Sequence, residues 1–287
     1  MRMVGSRIFS TAPGQITDDG EMTLALLQAL TGQVRFAENK VAHAYRAWYL
    51  SDPFDVGFAT SNALDEGELD DPHLAQLLYR NAAVHNSASQ ANGCLMRASA
   101  LGVWATRISA EAAVDAARHD ARLTHPHPFC QGACAAHVLA IRHLVKHPGD
   151  NLGALDQVAN LLRHHPEAPA EVAAWLEQAR AQAWPACQPN IGHVKIAFIH
   201  AFAHLASNSP YETALAEVLR GGGDTDTNAC ITGGLIGACQ GIDAIPPSQR
   251  QALLTCDTGQ GRHRPAWLRT QGLEKMVTAL MSGPLTA

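Results

Sequence analysis

Apolar residues recur at helical spacing along most of this chain. The run MTLALLQAL (22–30) comes first, and LAQLLYRNAAV (74–84) sets Leu74, Leu77 and Leu78 on one stripe. Residues three and four apart share a helix face, so this spacing predicts amphipathic helices. The pattern continues through 94–105, 108–123, 130–147, 170–184, 194–206 and 211–222. Strict alternation of apolar and polar positions never lasts long enough to predict a strand. Breakers fall where helices should stop: HPGDN at 147–151, HHPEAP at 164–169, NSP at 208–210 and IPPSQ at 245–249. None is a long linker, and no repeat is found. The prediction is a single compact all-α domain of many helices over residues 1–287.

One predicted helix is unusual. From Thr227 to Gly241 there is no charged residue, and Ala229, Gly233 and Gly237 recur every four positions. Ile231 and Leu235 form an apolar ridge beside that small-residue groove. Such a helix should be buried on most sides. Its glycines cost helix propensity, so close packing must compensate.

Composition fits this picture and narrows it. With 47% hydrophobic and 16% charged residues, the chain is a folded enzyme-like protein and not a disordered one. A formal net charge of -5 gives no electrostatic reason to expect nucleic acid or an anionic membrane as partner. No apolar run reaches membrane-spanning length, and the N-terminal residues lack the apolar core of a signal peptide. Seven cysteines, with no C-x-x-C pair, predict reduced thiols and a cytoplasmic location. Cys130 and Cys134 would share a helix face but lack the partners for a zinc site.

The candidate chemistry is acidic. Asp18 and Asp19 stand together before the first apolar run, and Asp224 and Asp226 stand before the uncharged helix, after three glycines. Alone, each pair reads as a helix cap, and Asp18-x-x-Glu21 resembles a capping box. Together, TDD and DTDT each offer two carboxylates and a threonine hydroxyl at a helix N-terminus. Oxygen-only sets of this kind suit magnesium or manganese, and calcium less well. Two ions about 4 Å apart would hold substrate oxygens and an activated water.

GGDTDTNACITGGLIGA (222–238) resembles the signature of the ADP-ribosylglycohydrolases, and GQITDDGEMTLALL (14–27) is similar to that family's other metal motif. NGCLMRASALGV (92–103), THPHP (124–128) and PFDVG (53–57) follow the family's further motifs in position. The resemblance implies an all-α fold and a centre of two Mg²⁺ or Mn²⁺ ions. By motif match the ligands would be Thr17, Asp18, Asp19, Asp224, Asp226 and Thr227. It also implies hydrolysis of the bond between ADP-ribose and an acceptor, often an arginine side chain. Partners would then be an ADP-ribosylated protein or ADP-ribose, with the protein acting as a monomer or dimer.

The motif match makes Asp55 the substrate-side catalytic candidate, well suited to a bidentate contact with a guanidinium; a loop aspartate is the alternative. Asn92 and Gly93 would lie near ribose or pyrophosphate, or else form a simple Asn-Gly turn. Gly222 and Gly223 would line the substrate cleft. His125 would pack on adenine or ribose, or serve only as a turn residue. Arg97 is expected to be a structural ion-pair partner, and His127 has no matched role.

The resemblance departs at the start. Residues 1–17 contain no Asp or Glu, so the family's first helix and its glutamate are missing from this sequence. Glu21 would be a stand-in if it reached the metals, although a cap role is expected of it. The C-terminal stretch AWLRTQGLEKMVTALM, or a second copy, would cover the apolar surface left open. Three functions follow: an active hydrolase, an ADP-ribose-binding or immunity-type protein with little turnover, and a different metal-dependent hydrolase.

Overall fold

A computed structural model describes residues 3–282 of the chain. It contains fourteen α-helices: α1 (Asp18–Leu30), α2 (Glu38–Leu50), α3 (Phe58–Leu64), α4 (Leu74–His85), α5 (Ala98–Trp104), α6 (Ala110–Arg122), α7 (Pro128–Lys146), α8 (Asn151–His164), α9 (Ala170–Arg180), α10 (Val194–Ala206), α11 (Tyr211–Gly221), α12 (Thr225–Gln240), α13 (Pro247–Leu254) and α14 (Leu273–Met281). Among the described residues no strand forms; one isolated bridge joins Ala91 and His193. The all-α prediction holds.

α7 lies at the centre, packed by α5, α6, α8 and α12. Its alanine-rich sequence explains why. Fourteen of its residues are buried, and small side chains let several neighbours approach at once. His127 caps it, its Nδ1 accepting a hydrogen bond from Phe129 N at 3.1 Å. That gives His127 a local role the sequence did not reveal.

α12 is held on several sides, by α10, α11, α5 and α7. Of its residues only Asp226 is exposed. A Cβ on Gly233 would stand 3.3 Å from Leu215 on α11, and one on Gly234 only 2.3 Å from Ser99 Oγ on α5. These close approaches are what the helix gains for its glycines.

α1 lies against α2 and α5, and α14 also packs on it. The first turn of α1 approaches α12. Residues 3–17 form no helix but a strap of turns that leads into it.

One buried ion pair fixes the frame. Arg97 Nε lies 3.1 Å from Asp120 Oδ2, with both side chains excluded from solvent. Tyr45 donates to Asp120 Oδ1 at 2.6 Å, and its ring lies 4.3 Å from the guanidinium carbon. Arg97 is thus structural, as expected. Replacing it with Met strands Asp120 without a counter-charge. We expect Arg97→Met to lower unfolding free energy by about 3–5 kcal/mol in a denaturant titration.

Candidate active site

The two acidic stretches, about two hundred positions apart, meet in space. Asp18 feels the charges of Asp19, Asp55 and Asp226, and Asp19 feels those of Asp226 and Asp224. The Thr227 hydroxyl works against the rise in pKa at both Asp19 and Asp224. Thr17 donates to Asp19 Oδ2 at 2.9 Å. So Thr17, Asp18, Asp19, Asp224, Asp226 and Thr227 all gather where the N-termini of α1 and α12 face each other, with Asp55 at the rim.

Neither acidic group caps its helix. Thr17 is the N-cap of α1 and Asp224 that of α12, and neither makes a side-chain capping bond. The capping-box reading of Asp18-x-x-Glu21 is therefore corrected. Glu21 is buried, and its carboxylate accepts two bonds from Arg264, at 2.8 and 2.9 Å, and one from Trp48 Nε1 at 2.8 Å. It neither caps α1 nor turns toward the aspartates. A buried carboxylate takes a fixed cation where one is offered, and no local signal reveals a partner 243 residues away.

The electrostatics of the cluster are those of anions lacking a counter-ion. Burial, followed by the neighbouring carboxylates, pushes Asp18 up to about 8. Burial and then the charge of Asp226 push Asp19 up to about 7. Asp55 and Asp224 are also raised, chiefly by burial. Helix N-termini favour negative charge, yet several carboxylates in one cleft exceed what two helix dipoles offset.

These residues suit a hard divalent cation chemically. Every donor is an oxygen. Asp19 Oδ1 is buried without a hydrogen-bond partner, a costly state that an ion would relieve. Among the described residues no group of three or more His, Cys, Asp or Glu side chains is arranged to hold an ion as it stands. Binding would have to draw the mutually repelling carboxylates together.

The other predicted residues surround this cluster. Asn92 is buried and donates through Nδ2 to Asp224 Oδ2 at 2.8 Å, so its amide is aimed at a candidate ligand. A Cβ on Gly93 would come 3.1 Å from His125 Cε1. His125 itself is 1% exposed and bonded through Nδ1 to Thr124 Oγ1 at 2.8 Å, so it lies packed behind Gly93. Gly222 and Gly223 turn the chain from α11 into α12 with φ of 74° and 73°. At Gly223 a Cβ would strike Cys187 O at 2.7 Å, which explains a glycine there.

Sequence reading missed some of the surroundings. The segment 187–193 crosses beside Asp224, and a Cβ on Gly192 would lie 3.5 Å from Asp224 Oδ2. Asn92 N donates to Gly192 O at 2.9 Å, which ties this segment to the Asn-Gly turn. Arg264 is the other missed residue.

An all-helical fold thus sets an oxygen-rich acidic cleft between two helix N-termini, and that arrangement belongs to a known family. The sequence comparisons name it: the family model described as ADP-ribosylglycohydrolase matches residues 2–281, and the chain belongs to that family. A protein of Acanthamoeba polyphaga mimivirus, provisionally named an ADP-ribosyl glycohydrolase, is 28% identical over 270 residues, 88% of this chain and 79% of its own. The ADP-ribosyl-(dinitrogen reductase) glycohydrolase of Rhodospirillum rubrum is 28% identical over 250 residues, 85% of this chain and 76% of its own. A solved structure named ADP-ribosylglycohydrolase-related protein complex superposes with a TM-score of 0.74 at 22% identity, over 98% of this chain and 86% of that one. No helix among the described residues is long and apolar enough to cross a membrane.

Proposed function

We propose that the protein hydrolyses the N-glycosidic bond between ADP-ribose and an acceptor, with protein-bound arginine as the favoured acceptor. Family membership supports the reaction class. The observation that carries the reading is the meeting of Asp18, Asp19, Asp224 and Asp226 in one cleft, uncapping and unneutralised. Thr17, Asp18, Asp19, Asp224, Asp226 and Thr227 would hold two Mg²⁺ or Mn²⁺ ions. When bound, such ions fix ribose hydroxyls and lower the pKa of water.

The chain's own side chains supply the rest. Asn92 holds Asp224 in place through its amide. Asp55 stands at the rim with a carboxyl raised by burial and by Asp226. It is placed to orient the acceptor guanidinium through both oxygens and to accept or return a proton at Oδ. Gly93 and Gly223 let the Asn92 turn pack on His125 and the α11–α12 turn pack on Cys187.

A second reading is a protein that holds ADP-ribose without turning over its conjugates. The specific observation in its favour is Glu21, the acidic residue next along α1, whose carboxylate is committed to Arg264 and Trp48 and so adds nothing to the acidic cluster. One experiment separates the two. Arginine-ADP-ribosylated protein is incubated with the enzyme and Mg²⁺ or Mn²⁺, and free ADP-ribose is measured by chromatography. We expect release that stops on addition of EDTA. Tight ADP-ribose binding with no release would favour the second reading and overturn the first.

A further inference from the structure

Outside the acidic cluster stands a buried guanidinium, that of Arg264, which is 4% exposed. Its Nε donates to Glu21 Oε1 at 2.8 Å, and Nη2 donates to Glu21 Oε2 at 2.9 Å and Ser51 Oγ at 2.8 Å. Its Nη1 donates to Ser51 O at 2.7 Å and Asp52 O at 2.9 Å. A guanidinium has five N–H donors, and all five are engaged here. Three pieces of chain converge on it: the first turn of α1, the residues that end α2, and residue 264 itself. The carbonyls of Ser51 and Asp52 lie at the C-terminal end of α2, where positive charge is favoured.

The segment so clamped leads directly to Asp55. Asp52 adopts a left-handed backbone, φ 56°, and Pro53 follows, so the chain turns sharply there. A non-glycine residue in that conformation persists only where its surroundings hold it. Two further contacts brace the turn: the Arg262 guanidinium carbon lies 5.6 Å from the Phe54 ring centroid, and the Arg262 backbone pairs with the Gln15 side chain at 2.6 and 3.0 Å. Gly261 makes that docking possible, because a Cβ there would meet Ala12 N at 2.3 Å. On the other side of the clamp, Glu21 sits two positions after Asp19.

We infer that Arg264 is a positioning residue: it locks the 51–55 turn against the first turn of α1 and thereby sets Asp55 over the acidic cluster. The inference rests on the proposed hydrolase reading for what Asp55 does, but the clamp itself is independent of it. A buried charge left alone destabilises, so Arg264→Gln by itself is ambiguous. The test therefore uses the paired variant Glu21→Gln with Arg264→Met, which leaves no stranded charge, and Arg264→Lys, which keeps the charge and loses the five-donor geometry.

For each folded variant, three quantities are measured: kcat for ADP-ribose release, Kd for free ADP-ribose, and amide hydrogen exchange of residues 52–57. In the paired variant we expect kcat to fall about 10- to 100-fold, the range seen when a group orienting the reacting residues is lost. Kd should change by less than about threefold, since the ribose and phosphate contacts lie elsewhere, and exchange at 52–57 should quicken. Arg264→Lys should recover part of kcat. Unchanged kcat in the folded paired variant would overturn the inference, as would unchanged exchange at 52–57. If the wild type itself releases no ADP-ribose, the hydrolase reading fails while the exchange result still decides whether the clamp exists.

Discussion

Asp19→Asn should abolish ADP-ribose release and at the same time stabilise the metal-free protein. The two effects have one cause. Asp19 is buried, is pushed up to about 7, and stands beside Asp226 and Asp224. Its Oδ1 has no partner. An amide of the same shape removes the like charge and keeps an oxygen for the Thr17 hydroxyl. At pH 8 in EDTA, relief of that repulsion should raise stability by about 1–2 kcal/mol, since one pKa unit is 1.36 kcal/mol. Loss of one carboxylate ligand should lower turnover by roughly 10³-fold, the scale on which removal of a single preorganised electrostatic group acts. A cap residue would behave in the opposite way, because its replacement costs stability and spares activity. A destabilised, fully active Asp19→Asn protein would restore the cap reading.

The same burial, with the repulsion second, sets the response to pH. Asp18 and Asp19 stand at about 8 and about 7 in the folded chain, above the ordinary value of 3.8. Between 3.8 and those values the folded protein keeps protons that the unfolded chain has released. Stability of metal-free protein must therefore fall as pH rises through this window, by about 1.4 kcal/mol per pH unit for each proton retained. Above about pH 8 both states are ionised and the slope from these groups ends. Mg²⁺ or Mn²⁺ should reverse the trend, because binding displaces those protons, so its stabilisation should grow with pH. Thermal melts from pH 5 to 8, with EDTA and with Mg²⁺, check both slopes. An identical, flat response in the two series would contradict this reading of the cluster.

Local pattern carried most of the fold. α1, α4, α7, α10, α11 and α12 each show their buried stripe within one turn or two of sequence, and the groove of α12 meets α11 as its spacing implied. α2 was harder to see. Its buried face includes Tyr45, Arg46 and Trp48, whose polar atoms pair with Asp120, with the Leu64 and Gly67 carbonyls and with Glu21. Those partners lie outside the helix, so hydropathy spacing alone does not mark these side chains as interior. The site divides in the same way. The acidic pairs were legible because both motifs put unusual charge at the start of apolar helices. Asn92 was legible as a motif member, but its bond to Asp224 spans 132 positions. Glu21 was misread because a capping box is a local signal, whereas its actual partner, Arg264, arrives from the far end of the chain.

Anomalous diffraction from crystals grown with Mn²⁺ tests the central claim most directly. Manganese peaks are expected in the cleft between α1 and α12, within about 2.3 Å of carboxylate oxygens from both Asp18–Asp19 and Asp224–Asp226. A saturating Mn²⁺ concentration that gives no peak there, or a peak bound by one segment alone, would contradict it.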